Sequence, residues 1–290
     1  MSTSKGGVGR SALTTFSDTS AAVALASKFA GELYHNYPAL WPETIRGLLL
    51  HSANWTPEML GNRTIDQLSL EEKIKLLSRV GYGVPNMRQA KHSANNSLSL
   101  IAERTLRPYK REGSNIKPNE FHLFDLPWPR AVLQELHATP VILKVTLSYF
   151  IEPNPGNRKY ELSASYRSCG LRFKMIGPNE RLQAFKGRVS KAEREDDYEA
   201  EGGENWILGN SVRDKGSIHK DVWHGTAADL ATRNKIAVHP VGGWWRTRKG
   251  LNRFDNDVRY SLIITIETPP LDDIDIYTPV FNMINIPIPT

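Results

Sequence analysis

The stretch TSAAVALASKFAGELYHNYPALWPETIRGLLLHSA, running from Thr19 to Ala53, decides how the chain is read, because it carries two helix patterns back to back. Ala22, Leu25, Ala26, Phe29, Ala30, Leu33 and Tyr34 recur near i, i+3, i+4, i+7 and predict a helix with one apolar face. Pro38 ends it. Trp41-Pro42-Glu43 opens a second helix, over 42–52, with Pro42 in the first turn where its missing N–H does no harm. That helix is apolar at Ile45, Leu48 and Leu49 and stops at the polar break 54–57. A third is expected over 69–80, where SLEEK places Glu72 three residues after Ser69 as a capping box.

Beyond Gly81-Tyr82-Gly83, a short segment over 84–90 leads into a polar link over 91–96. From about Leu123 the period changes to two. VILKVTLSYFI (141–151), YELSASYRS (160–168), LRFKMI (171–176), NKIAVHPVGGWW (234–245) and RYSLIITIET (259–268) are rich in β-branched and aromatic residues and bounded by Pro, Gly and Asn. They predict an all-β, antiparallel sandwich or jelly roll, with the acidic stretch Glu193–Glu204 as an exposed loop.

The chain has 290 residues, 40% hydrophobic and 23% charged, which is the composition of a folded protein rather than a disordered one. It has no apolar run of about 18 residues, so a membrane-spanning helix is not expected. No secretory signal is recognisable, and the single Cys169 cannot form an internal disulfide; both point to a cytoplasmic location. The net charge of +6 suits acidic partners, but the basic residues are scattered and interrupted by acidic blocks, so nucleic acid is not the inferred partner.

Two active-site signatures crowd the first residues. KGGVGRS, Lys5 to Ser11, is similar to the phosphate loop of the deviant-Walker partition ATPases. A phosphate loop works by joining a buried strand to a helix N-terminus so that backbone N–H groups converge on the anion. Here only MSTS precedes Lys5, Arg10 stands where lysine is needed, and Leu13–Phe16 is no helix start. Residues 1–19 are therefore read as a flexible Gly-rich tail, and no cofactor is expected.

The second signature is Asp18-Thr19-Ser20-Ala21-Ala22. A serine at a helix N-terminus gains nucleophilic use because its backbone N–H and the helix dipole favour developing negative charge. The plain alternative is that Thr19 or Ser20 only caps the helix. Taken with PALWPETIRGLLLHSA and VGYGVPNMRQA (80–90), the segment resembles the subtilisin-like serine proteases, the subtilase family, from the motif of the catalytic serine through the helices that follow it.

The resemblance implies Ser20 as the nucleophile position and oxyanion N–H, Thr19 shaping the turn, and a parallel sheet flanked by helices. It implies peptide or protein substrates cleaved through an acyl-enzyme. It also exposes departures. Asp18 replaces a glycine and sets a carboxylate beside the oxyanion position, and Ala24 replaces a proline. In the family the aspartate, the histidine and the oxyanion asparagine all precede the serine, whereas here nineteen residues do, and His35 and His51 lie downstream at other positions. A serine without its base is a weak nucleophile, so the chain is expected to be inactive alone and to represent the C-terminal part of a subtilase catalytic domain, its missing part possessed by another chain or lost. The competing expectation is a non-catalytic protein- or polymer-binding module built on the β-sandwich.

The β-rich half resembles C-terminal extensions of some large bacterial subtilases, through 143–156, 170–175, 216–231 and 236–245. His219, Asp221 and His224 in HKDVWH lack further ligands at zinc spacing, so no metal site is expected. Trp244 and Trp245 beside Arg246, Arg248 and Lys249 are read as packed rings with solvated cations. The expected organisation is a tail (1–19), an α/β remnant of a subtilisin-like domain (20–102), a linker (103–122) and a jelly-roll-like domain (123–290).

Overall fold

The computed structural model describes residues 18–95, 99–126, 128, 130–156, 166–195 and 205–268, with the short pieces 2–3 and 13–14. The chain divides into two compact units, Met1–Leu40 and Trp41–Thr290.

In the first unit, β1 (Ser2–Thr3) pairs antiparallel with β2 (Leu13–Thr14), and α1 follows over Thr19–Asn36. The Gly-rich 5–11 segment between these strands lies outside the described residues. Asp18 is the N-cap of α1, in extended backbone, with its Oδ1 accepting the Ala21 N–H at 3.0 Å. Thr19 and Ser20 are thus first-turn residues rather than caps. The apolar face is nearly bare: from Thr19 to Lys28 only Ala21 is partly covered, and Leu33 is the buried residue of the helix.

The second unit opens with α2 (Pro42–His51), α3 (Leu70–Val80) and α4 (Met87–Asn95). Pro42 occupies the first turn as its sequence context predicts, and α3 starts on the expected capping box, Ser69 Oγ accepting from the Glu72 N–H and Glu72 accepting from the Ser69 N–H at 2.9 Å. The helix α4 replaces the short segment and polar link read from 84–96; its composition, MRQAKHSAN, carries little apolar signal.

The strands follow as β3 (Ser99–Leu106), β4 (Tyr109–Glu112), β5 (Asn115–Pro118), β6 (His122–Asp125), β7 (Pro140–Tyr149), β8 (Gly170–Met175), β9 (Ile218–Thr226), β10 (Lys235–Val241) and β11 (Val258–Glu267). The stretch 103–122, expected as a linker, is therefore built into strands. One sheet has the order β3-β11-β7-β9 and a second β6-β10-β8, and β4 and β5 form a hairpin. Every described strand pair is antiparallel, so the parallel sheet implied by the family resemblance is not found among the described residues. The YELSASYRS strand falls largely outside them.

The two larger sheets share one core. Leu143, Val145 and Leu147 of β7, Tyr260, Leu262 and Ile264 of β11 and Trp223 of β9 meet Leu171 and Phe173 of β8 and Ile236 and Val238 of β10, all buried. Alternation explains the selection, since residues two apart on a strand share a face. Each of these side chains contributes about 1.5–3 kcal/mol by leaving water. On the outside of the second sheet lies α6 (Leu182–Glu195), with Phe185 and Val189 against Ala237. Short helices α5 (Arg130–Glu135), α7 (Asn210–Arg213), α8 (Ala227–Thr232) and α9 (Trp244–Thr247) complete the unit. The end of the expected 234–245 strand is thus a helical turn.

Helix α2 covers the opposite face of the first sheet, against β7 and β11. Ile45 and Leu48 are buried there, and Gly47 allows the approach: a Cβ at Gly47 would lie 2.8 Å from Ile263 Cδ1 and 3.4 Å from Ser148 Cβ. Arg46 anchors the helix by donating to Ser148 Oγ at 3.1 Å and to the Ser217 carbonyl at 2.7 Å. The apolar face of α2 is thus covered by this chain's own antiparallel sheet. Among the described residues no helix is long and apolar enough to cross a membrane.

Candidate functional site

Ser20 lies exposed in the first turn of α1, where the leading N–H groups of a helix have no acceptors within it. Among the described residues its hydroxyl has no hydrogen-bond partner. Asp18 already uses the helix end: its carboxylate accepts from Ala21 and its carbonyl from the Ala22 N–H at 3.1 Å. An oxyanion at the Ser20 N–H would therefore develop beside a fixed negative charge, in water rather than in a closed site, and both features weaken its stabilisation.

Within its own compact unit, Ser20 is not served by a histidine base. His35 stands in the last turn of the same helix, fifteen residues on, and a rise of about 1.5 Å per residue puts it roughly 22 Å away along the axis. His51 ends α2 fully buried, Nδ1 2.9 Å from Thr146 Oγ1 and Nε2 2.9 Å from Thr265 Oγ1. Burial holds its pKa well below the ordinary imidazole value, and the Lys220 and Lys144 charges push it the same way. It is a neutral bridge between helix and sheet.

The HKDVWH motif separates rather than gathers its histidines. His219 and Asp221 point into the core side of β9, whereas Lys220 and His224 point to the other face. His219 joins a buried polar network: Nδ1 is 3.4 Å from Asp214 Oδ1 and Nε2 is 3.3 Å from the Tyr149 hydroxyl. Arg213 pairs with Asp214 at 3.3 Å and with Asp221 at 3.2 Å, and Asp221 accepts from the Leu208 and Gly209 N–H groups at 2.9 Å each. These bonds satisfy buried charges and hold the 205–214 segment on β9. Among the described residues no group of three or more His, Cys, Asp or Glu is arranged to hold a metal ion.

Trp244 and Trp245 are both buried, edge to face at 6.3 Å, with their N–H groups donating to the Glu152 carbonyl at 2.9 Å and the Glu152 carboxylate at 3.0 Å. Their faces are used inside the unit, which leaves none for stacking on a base.

Against this geometry, the Subtilase family model matches residues 1–83. The match takes in Asp18, Thr19, Ser20, α1, α2 and α3, and it reaches back through the stretch expected to be a tail. It ends at Gly83, so the β-rich portion lies outside it. The match supports a subtilisin-like hydrolase relationship for this segment. No curated protein matches the chain.

Proposed function

We propose that residues 1–83 supply the serine-bearing element of a subtilisin-like endopeptidase, with Ser20 as the nucleophile, its backbone N–H as one oxyanion donor and Thr19 setting the turn. The observation that carries this reading is the family match over a helix that holds the serine in its first turn and leaves Val23 and Leu25 each 59% exposed. In this proposal the aspartate, histidine and second oxyanion donor come from outside these 290 residues, on a segment that also covers α1. The substrate is a peptide or protein and the reaction an acyl transfer to water: the serine oxygen attacks the scissile carbonyl, the base takes its proton and returns it to the leaving amine, and water then repeats the attack on the ester. By itself the chain is inactive, since Ser20 has no base. The β-rich unit acts as an accessory domain of jelly-roll-like lineage that supports the serine-bearing part.

A second reading is favoured by Asp18. Its capping carboxylate sits where negative charge must develop, which suits a non-catalytic module that binds a protein or polymer without cleaving it. A fluorophosphonate probe separates the readings. The chain alone is expected to take no Ser20-dependent label, and the chain co-folded with a subtilase segment carrying the aspartate, histidine and asparagine is expected to take label that Ser20→Ala abolishes. Labelling of the chain alone overturns its dependence on a partner, and no labelling of the co-folded pair overturns the peptidase reading in favour of the second.

A further inference from the structure

A cavity of about 300 Å³ opens on the outer face of the first sheet, beside the end of α2. Trp55, Leu60, Ile65, Ile142 and Ile207 give it apolar walls, and Lys144, Lys220 and Glu267 line it as well. The register explains the gathering. Thr146 opposes Lys220 across β7 and β9, and Lys144 opposes Thr265 across β7 and β11, so these side chains share one face two residues apart.

The two lysines differ. Lys144 Nζ is 2.6 Å from Glu267 Oε1 and is neutralised by it. Lys220 is buried, donates to the Ala53 carbonyl just past the end of α2, and has no carboxylate of its own. The cavity therefore holds a compensated ion pair and one amine, a poor set of charges for gripping an anion. It is instead the pattern that activates a lysine as a nucleophile, an amine kept from water by burial.

We propose that this cavity is a binding site for small apolar aldehydes, which Lys220 holds as an imine. In that step Nζ adds to the carbonyl carbon, the C=O π pair goes to oxygen, two proton transfers convert that oxygen to water, and the C=N bond forms as water leaves. Nothing is oxidised or reduced. The bond to the Ala53 carbonyl aims the amine and leaves its lone pair for the carbonyl carbon, and the apolar walls accept the body of the ligand. Burial pushes the Lys220 pKa down to about 7, with the Lys144 ammonium acting in the same direction and Glu267 opposing. The other titratable groups around it are His51 at the end of α2, Tyr82, and Asp221 and His224 of β9; His51 stays neutral and Asp221 is tied to Arg213. An ordinary lysine, with its pKa near 10.4, offers roughly a thousandfold less free amine at pH 7.

The test uses the full chain with benzaldehyde and cyanoborohydride, which traps the imine as a stable secondary amine, and maps the adducts by peptide mass spectrometry. At pH 7 Lys220 is expected to label roughly tenfold or more faster than exposed lysines such as Lys186 and Lys215, with a rate that rises around pH 7 instead of above pH 10. Lys220→Arg removes that adduct and leaves the exposed lysines unchanged. Lys144→Met keeps Lys220 but removes the neighbouring cation and frees Glu267, so the midpoint moves upward. Labelling of Lys220 no faster than Lys186, or a midpoint at the ordinary lysine value, overturns the proposal. The Lys144→Met variant decides the matter even if Lys220→Arg fails to fold.

Discussion

Helices α1 and α2 carry similar apolar periodicity, lie within one family match and have opposite fates. Leu48 on α2 is 0% exposed, pressed against the first sheet, whereas Leu25 on α1 is 59% exposed. The difference shows that periodicity tells which side of a helix needs cover and says nothing about where the cover comes from. A match to a peptidase family model does not fix it either, since α2 packs on an antiparallel sheet of its own chain.

The largest effect expected from this comparison is on α2. Leu48→Ala empties a fully buried site and should destabilise the second unit by about 2–5 kcal/mol, read as a fall in the urea midpoint at constant m-value. A loss below about 1 kcal/mol would mean that α2 is not held by its sheet.

Acid should destabilise the same unit. His51 and His239 are buried and neutral, with His51 held well below the ordinary value and His239 pushed down to about 3 by burial. Above about pH 6.5 neither state is protonated and stability is full. As pH falls below that, the unfolded chain takes up protons that the folded chain refuses, so stability drops by roughly 1.4 kcal/mol per pH unit for each histidine until the folded pKa is reached. Urea midpoints at pH 7 and pH 5 check the sign, and His51→Gln should flatten the slope by about half.

The smallest effect belongs to α1. Leu25→Ala should change unfolding by less than about 0.5 kcal/mol, because the side chain is already in water. A loss comparable with that of Leu48→Ala would show that α1 is covered in solution.

Much of this was legible beforehand, for identifiable reasons. The start of α2 rests on Pro42 and that of α3 on Ser69 and Glu72, local chemistry that needs no partner. The strands β7, β8 and β11 declare themselves because one face must be apolar to fill the shared core. What escaped was set by distant contacts. The helix α4 and the strands β4 and β5 are polar and take their form from neighbours. Lys220 looks like a surface lysine in HKDVWH until α2 closes over its face of β9, and Asp18 looks like a disrupted motif until its carboxylate is seen capping α1. The bridge that His51 makes between two threonines likewise joins residues far apart in the chain, and no local pattern announces it.

Hydrogen exchange of the intact chain tests most directly the claim that α1 lacks its cover here while α2 has one. Amides from Val23 to Lys28 should exchange through local fraying with little protection, and those of Ile45 to Leu50 should exchange only as the second unit unfolds. Equal, strong protection in both helices would contradict the account, since it would require a cover over α1 that this chain supplies itself.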